Sequence, residues 1–292
     1  MELRIEDLRS RFDFWTVKHP AIQSFKWEDH TLVGSWNFAV SSVVLYILGV
    51  FVVKFLLSFR DKPVRLGFIP VVHNLVLTVG SLAMFVGCLN ATLAEVRQSN
   101  WLWGKSSGAE WVLCFPHGTR AVGPVFFWSY VYYLSKFYEL LDTVILIFKK
   151  RPLSFLHVFH HATVIFMCFF WLQDTQSLQI IALLTNTAVH VIMYTYYFLC
   201  SINCPPPWKK VVTNVQIVQF VFSFICGVAT LWLHFSGPGC AGMYAFCFNL
   251  VFNASLLFLF LNFHSKQYGG SKVSKGSTAG RTRRSLQARK QK

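Results

Sequence analysis

The chain has 292 residues, 54% of them hydrophobic, 17% aromatic and only 13% charged. A soluble domain carries about a quarter charged residues, so this composition excludes an ordinary soluble protein and points to the membrane. The formal net charge of +15 suits phosphate-bearing ligands and anionic lipid; no nucleic-acid motif accompanies it, and nucleic acid is not an expected partner.

Residues 1–34 mix charges with aromatics and contain no apolar run of the signal-peptide kind. Crossing roughly 30 Å of hydrocarbon takes about 20 apolar residues. Seven stretches reach that length, at 35–58, 67–92, 121–148, 154–172, 178–199, 211–234 and 241–263. The short alternating segments of a membrane barrel are absent, so the spans read as helices. The expected fold is an all-α integral membrane protein with seven transmembrane helices. No repeat or second domain is evident. Three segments follow: 1–34 before the membrane, 35–265 within it, and a Gly/Ser/Lys/Arg-rich tail, 266–292, expected to be disordered.

Orientation follows from the basic residues. Arg60, Lys62 and Arg65 follow span 1, Lys149, Lys150 and Arg151 follow span 3, and Lys209 and Lys210 follow span 5. Nine more Lys and Arg lie between Lys266 and Lys292. The opposite side has five before span 1 and three between spans 2 and 3. The positive-inside rule therefore makes the tail cytosolic and the N-terminus lumenal or external. The end of the tail, Arg289-Lys290-Gln291-Lys292, is similar to dibasic signals that return proteins to the endoplasmic reticulum; a plain solvated tail is the alternative.

Of twelve acids, only Glu139 and Asp142 fall within a span, in "SKFYELLDTVI", with Lys136 three residues before Glu139. Ionisable groups at membrane depth cost several kcal/mol, so they are kept for chemistry or as internal pairs. A structural Lys–Glu pair at i,i+3 is the bland reading. In span 4, "HVFHH" puts His157, His160 and His161 on one helical face. In span 5, His190 lies one turn after Asn186 and precedes Tyr194 and Tyr197 on its face, with Tyr196 alongside. In span 6, Lys209, Thr213 and Gln216 share a face, and Gln219 follows. At about 1.5 Å per residue these clusters all fall in the cytosolic half of their helices. The sequence thus predicts a pocket open to the cytosol.

Histidines in such a pocket suggest metal or acid–base chemistry. HxxHH occurs in membrane di-iron desaturases and hydroxylases, but one such box plus His190 is too few for two irons. A single zinc is the lesser metal option, disfavoured because His160 and His161 are adjacent. No metal site is therefore expected. A neutral imidazole instead serves as nucleophile or base near neutral pH. His73, His234 and His264 read as satisfied core residues and His117 as an exposed loop residue. Cys168 reads as a packing residue.

"KFYELLDT" (136–143), "HVFHH" (157–161), "HVIMYTYY" (190–197) and "TNVQIVQ" (213–219) resemble, in order, the four signature motifs of the ELO family of very-long-chain fatty-acid elongases. The resemblance covers roughly residues 35–265. It implies a 3-ketoacyl-CoA synthase that condenses acyl-CoA with malonyl-CoA, releasing CO₂ and CoA, with no bound cofactor. It also implies that six helices form a closed barrel around an acyl tunnel, with the first helix peripheral. The location implied is the endoplasmic reticulum membrane. The reductases and dehydratase of the elongation cycle are expected partners, and self-association is left open.

On that resemblance, His160 attacks the thioester to give an acyl-imidazole, and Glu139 or Asp142 orients one histidine. His157, Lys136 and Gln216 hold the thioester arm. Asn186 and His190 stabilise the enolate formed when malonyl-CoA loses CO₂. Tyr194, Tyr196 and Tyr197, with Thr213 and Gln219, contact substrate. Lys149, Arg151 and Lys209 meet the phosphates of coenzyme A. Attack through His161, or direct condensation with histidine acting only as base, stays open. A di-iron lipid oxidase and a seven-helix receptor are the rival readings. A receptor would not gather ionisable residues at the cytosolic ends of four helices.

The topology also bears on the cysteines. Cys88, Cys168, Cys226 and Cys247 fall within spans, and Cys200 and Cys204 flank the cytosolic end of span 5. Cys114 and Cys240 remain, both on the lumenal side, where oxidation is favoured. A Cys114–Cys240 disulfide is expected; two free thiols are the alternative.

Overall fold

The computed structural model describes residues 2–28, 33–98 and 108–268. Among these residues it is all-helical, apart from two isolated bridges that pair Lys26 with Val122 and Pro116 with Cys240. A charged helix α1 (Glu2–Asp13) runs into a π-helical turn, Phe14–Lys18, and a short α2 (Pro20–Gln23). Then come α3 (Trp36–Ser58), α4 (Ile69–Gln98), α5 (Gly108–Leu113), α6 (Pro124–Glu139) and α7 (Leu141–Phe148). The chain continues through α8 (Phe155–Gln173), α9 (Gln179–Ser201), α10 (Lys209–Ser236) and α11 (Met243–Tyr268).

Among the described residues, six helices are long and apolar enough to cross a membrane: α3, α4, α8, α9, α10 and α11. The third span read from sequence is divided instead into α6 and α7. The break has a local cause at Leu140. Its N–H bonds to the Phe137 carbonyl at 3.3 Å, and the Thr143 N–H bonds to the Leu140 carbonyl at 3.1 Å. These i,i+3 bonds tighten one turn and interrupt the α-helical ladder. The break falls between Glu139 and Asp142. Helix α11 also reaches Tyr268, so Lys266, Gln267 and Tyr268 are helical rather than part of a disordered tail; the remainder of that expected tail lies outside the described residues.

Helix ends carry their own signals. The Ser35 Oγ caps α3 by accepting from the Phe38 N–H at 3.2 Å. The Ser154 Oγ caps α8 by accepting from the His157 N–H at 3.2 Å, which starts that helix at the histidine box. Helix α6 opens with Gly123 at φ +82°, followed by Pro124 at the first turn.

Packing neighbours run from α4 to α9, α10, α11, α8 and α6, and from α6 back to α4. Helix α3 packs mainly against α7 and α8, touches α6 where Phe38 meets Phe137 edge-on, and exposes Leu45, Phe51 and Phe55 on its other faces. Where α4 meets α6, the Trp128 indole occupies the space a side chain at Gly87 would need, so only glycine permits that approach.

Because successive helices alternate in direction, the bundle has two distinct ends. One is bridged: Cys114 and Cys240 form a disulfide, with Cα atoms 5.0 Å apart. There the Ser177 Oγ accepts from the Phe115 N–H at 3.0 Å and donates to the Ala241 carbonyl at 2.8 Å, joining three connections. The N-terminal segment also packs on this end. Trp27 Nε1 donates to Gln173 Oε1 at 3.0 Å, Trp128 Nε1 donates to the Thr16 carbonyl at 2.9 Å, and Gly123 N–H bonds to the Phe25 carbonyl at 2.9 Å. The other end carries Arg60, Lys62, Lys149, Lys150, Arg151, Lys209 and Lys210, all exposed.

Candidate active site

Helix α6 brings Lys136 and Glu139 into the interior on one face. Each is 1% exposed, and Lys136 Nζ donates to Glu139 Oε1 at 2.7 Å. The ammonium also sits 3.9 Å from the centroid of the Tyr132 ring. Ser135 Oγ adds a 3.3 Å bond to the same Glu139 oxygen, while Glu139 Oε2 is buried without a partner. His190 on α9 brings its Nδ1 to 3.6 Å from Glu139 Oε1. One turn earlier on α9, the Asn186 Oδ1 accepts from the Tyr132 hydroxyl at 2.6 Å. That bond orients the Asn186 amide and turns its N–H groups away from Tyr132.

Beyond the Leu140 break, Asp142 faces a different pair of helices. Its Oδ1 lies 3.0 Å from His73 Nε2 on α4, and its Oδ2 accepts from the Tyr194 hydroxyl at 2.7 Å. Asp142 is 19% exposed and His73 only 4%. The α7 residue that reaches the histidine box is Thr143, whose Oγ1 lies 2.8 Å from His157 Nε2. Tyr46 of α3 completes this row, with its hydroxyl 3.0 Å from Thr143 Oγ1.

The three box histidines touch one another, with ring centroids 4.4 Å apart for His157 and His161 and 5.3 Å for His160 and His161. His161 is buried, and its Nδ1 has no partner. His160 stacks on Phe252 of α11, its Nδ1 buried and unpartnered, yet the residue keeps accessible surface. Among the described residues, no three or more His, Cys, Asp or Glu side chains are grouped as a set able to hold a metal ion.

Glu139 or Asp142 was expected to orient one histidine; Asp142 lies against His73 and Glu139 near His190, while a hydroxyl serves the box. Gln216, on α10, donates to Met193 Sδ at 3.4 Å, Thr213 is buried, and Gln219 is half-buried. Tyr196 packs edge-on against Trp208, and Tyr197 is 41% exposed, so these two lie outside the polar centre. Lys149, Arg151 and Lys209 are exposed at the basic end. Arg151 lines a cleft of about 240 Å³ with Lys54, Ser58 and Lys150, between α3 and the α7–α8 turn.

His73, read as a satisfied core residue, is buried and hydrogen-bonded as expected; what sequence reasoning missed is that its partner is Asp142. The depth of His73 was a usable signal: six residues into its span, about 9 Å, it matches the box histidines. Tyr132, one turn before Lys136, was readable on the same grounds. Nothing in the sequence marks Tyr46 or Phe252.

The described residues define a multi-pass, all-helical membrane protein whose interior holds a buried Lys–Glu pair beside a histidine cluster. The model of the ELO family, described as GNS1/SUR4, matches residues 31–276, and the chain belongs to that family. It is 35% identical to "Fatty acid elongase 3-like" of Arabidopsis thaliana over 263 residues, 87% of this chain and 91% of that protein. It is 37% identical to a putative fatty acid elongase of Dictyostelium discoideum, over 82% of this chain and 78% of the relative. A third relative, "Putative fatty acid elongase 1" of Schizosaccharomyces pombe, is 33% identical over 86% and 75%.

Proposed function

We propose that this protein is the condensing enzyme of fatty-acid elongation, joining a long-chain acyl-CoA to malonyl-CoA to give 3-ketoacyl-CoA, CO₂ and CoA. The observation that carries this reading is the meeting of Lys136, Glu139, Asn186 and His190 beside the box histidines, inside a bundle whose relatives are named fatty acid elongases. The cyclic order of helix neighbours supports a six-helix barrel around an acyl tunnel, with α3 as the peripheral seventh span. The basic end is taken as cytosolic and the bridged end as lumenal in the endoplasmic reticulum.

In this reading His160, accessible on one side and stacked on Phe252, attacks the thioester carbonyl. The carbon–sulfur bond breaks, CoA leaves as the thiol with the proton the imidazole gives up, and the acyl group stays on the imidazole. Malonyl-CoA then enters, loses CO₂, and its enolate carbon attacks the acyl carbonyl, freeing His160, which takes back a proton from water. The Asn186 amide, held by Tyr132, and His190, beside Glu139, stabilise the enolate oxygen. Tyr194 and Asp142 line the centre. Arg151, Lys149 and Lys209 meet the phosphates of coenzyme A, and Gln216, Thr213 and Gln219 border its arm on α10. No bound cofactor is required. The reductases and dehydratase of the cycle would consume the product.

The test is a half-reaction. Purified protein given acyl-CoA alone should release CoA and become acylated before malonyl-CoA is added, and His160→Ala should lose both. CoA release that persists in this variant moves the nucleophile to His157 or His161. No CoA release in the wild type, with normal condensation, makes histidine a base in a direct transfer.

A further inference from the structure

Helix α3 stands outside the ring of neighbours, yet one of its residues ends in the polar centre. Tyr46 is buried, its hydroxyl lies 3.0 Å from Thr143 Oγ1, and that oxygen lies 2.8 Å from His157 Nε2. The Tyr46 ring also meets His161 edge-on, at 6.5 Å between centroids. We propose that Tyr46 is a positioning residue of the active site, acting through the Thr143 hydroxyl to hold His157 in the tautomer whose proton is on Nδ1.

The polarity of the row follows from counting hydrogens. Each hydroxyl has one to give. If Tyr46 donates to Thr143 and Thr143 donates to His157, both hydroxyl hydrogens are used and Nε2 accepts. In both other arrangements His157 donates from Nε2: Thr143 then donates to Tyr46, or Tyr46 and His157 both donate to Thr143 Oγ1. Either way one hydroxyl hydrogen, on Tyr46 or on Thr143, is buried with no acceptor among the described residues, which carries a desolvation cost. The first arrangement wins. Its consequence is that His157 enters chemistry with Nε2 occupied as an acceptor and Nδ1–H available to donate. A donor beside His160 suits a group that holds the thioester oxygen, whereas the other tautomer would offer a lone pair there. The outer helix thereby sets the electrical character of an interior histidine.

The kinetic arm of the test rests on the condensing role proposed above; the spectroscopic arm does not. In protein labelled with ¹⁵N-histidine, the His157 resonances, assigned by their loss in His157→Gln, should show an unprotonated Nε2 and a protonated Nδ1. Tyr46→Phe should shift that Nε2 toward the protonated value without moving the melting temperature by more than a few degrees. It should also lower kcat on the order of tenfold, with KM for acyl-CoA little changed. Thr143→Val should cost at least as much, Thr143→Ser should recover most of the activity, and Tyr46→Phe added to Thr143→Val should cost nothing further. A protonated Nε2 in the wild type, or Tyr46→Phe leaving both spectrum and kcat unchanged, overturns the proposal. So do losses that multiply in the double variant. If the wild type condenses no acyl-CoA, the role proposed above fails while the nitrogen spectrum still decides the tautomer.

Discussion

At the bridged end of the bundle, connections are bound to one another: a disulfide, a serine shared by three segments, and an N-terminal stretch that bonds to α4, α6 and α8 through Asn90, Trp128 and Gln173. At the basic end the loops hold few such bonds. Lys150 Nζ reaches the Leu57 carbonyl, Arg60 Nε the Lys62 carbonyl and Val64 N–H the Phe148 carbonyl, while Lys54, Lys150 and Arg151 line an open cleft. The polar centre lies between the two, nearer the basic end. A closed floor with an open, cationic mouth suits a substrate whose head is a soluble polyanion and whose tail is oil. On the function proposed above, the bridged end would stop the acyl tail and the open end would admit the coenzyme A head.

The comparison can be broken first at the centre. Glu139→Gln leaves the Lys136 ammonium buried without its counter-charge, an expense of about 3–5 kcal/mol. Thermal unfolding in detergent should show that loss, and Lys136→Met added to Glu139→Gln should recover much of it. Equal melting of wild type and Glu139→Gln would mean that the fold does not depend on the Glu139 counter-charge.

The floor is tested next. In the chain-entropy model, a bridge across 126 residues stabilises by about 5 kcal/mol, an upper figure because membrane insertion already restricts the unfolded chain. Cys114→Ser should lower the midpoint of thermal inactivation markedly while leaving the initial rate at low temperature near wild type. Peptide mapping without reduction should recover the two cysteines joined; alkylation of both without prior reduction would reject the bridge.

A smaller effect sits where α4 and α6 touch. Gly87→Ala pushes a methyl group into the Trp128 indole and should cost about 1–3 kcal/mol, read by the same melting experiment. Wild-type stability in that variant would show that Trp128 has room to turn aside.

The mouth gives the mildest changes. Arg151→Ala or Lys209→Ala should raise KM for acyl-CoA a few-fold and flatten its salt dependence, since exposed charges contribute about 0–1 kcal/mol each. An unchanged KM in both variants would place the phosphates elsewhere.

The legibility of the chain follows the same division. Apolar length marked the spans, because hydrocarbon thickness imposes it on every crossing segment. It could not mark the Leu140 break, where two i,i+3 bonds change the path without altering composition. The acids and the histidine box were legible because charge and imidazole are rare at such depth. Their partners were not. Spacing along one helix says which residues share a face, but the helix opposite is chosen by packing, so the meeting of Asp142 with His73 of α4 was not readable. Tyr46 was hidden for a further reason: a tyrosine in an apolar span is unremarkable until its hydroxyl is seen to have a destination.

The anchoring of α3 reaches beyond the site. Near its start the Tyr133 hydroxyl holds the Val33 carbonyl at 3.2 Å, and at its far end Lys150, in a left-handed conformation at φ +51°, reaches across to the Leu57 carbonyl at 3.0 Å. Its 23 residues span about 35 Å, longer than about 30 Å of hydrocarbon, so a bilayer of ordinary thickness is met by tilting the protein or by deforming the lipid around it. The bonds near both ends and at Tyr46 favour a tilt in which α3 moves together with α6 and α7.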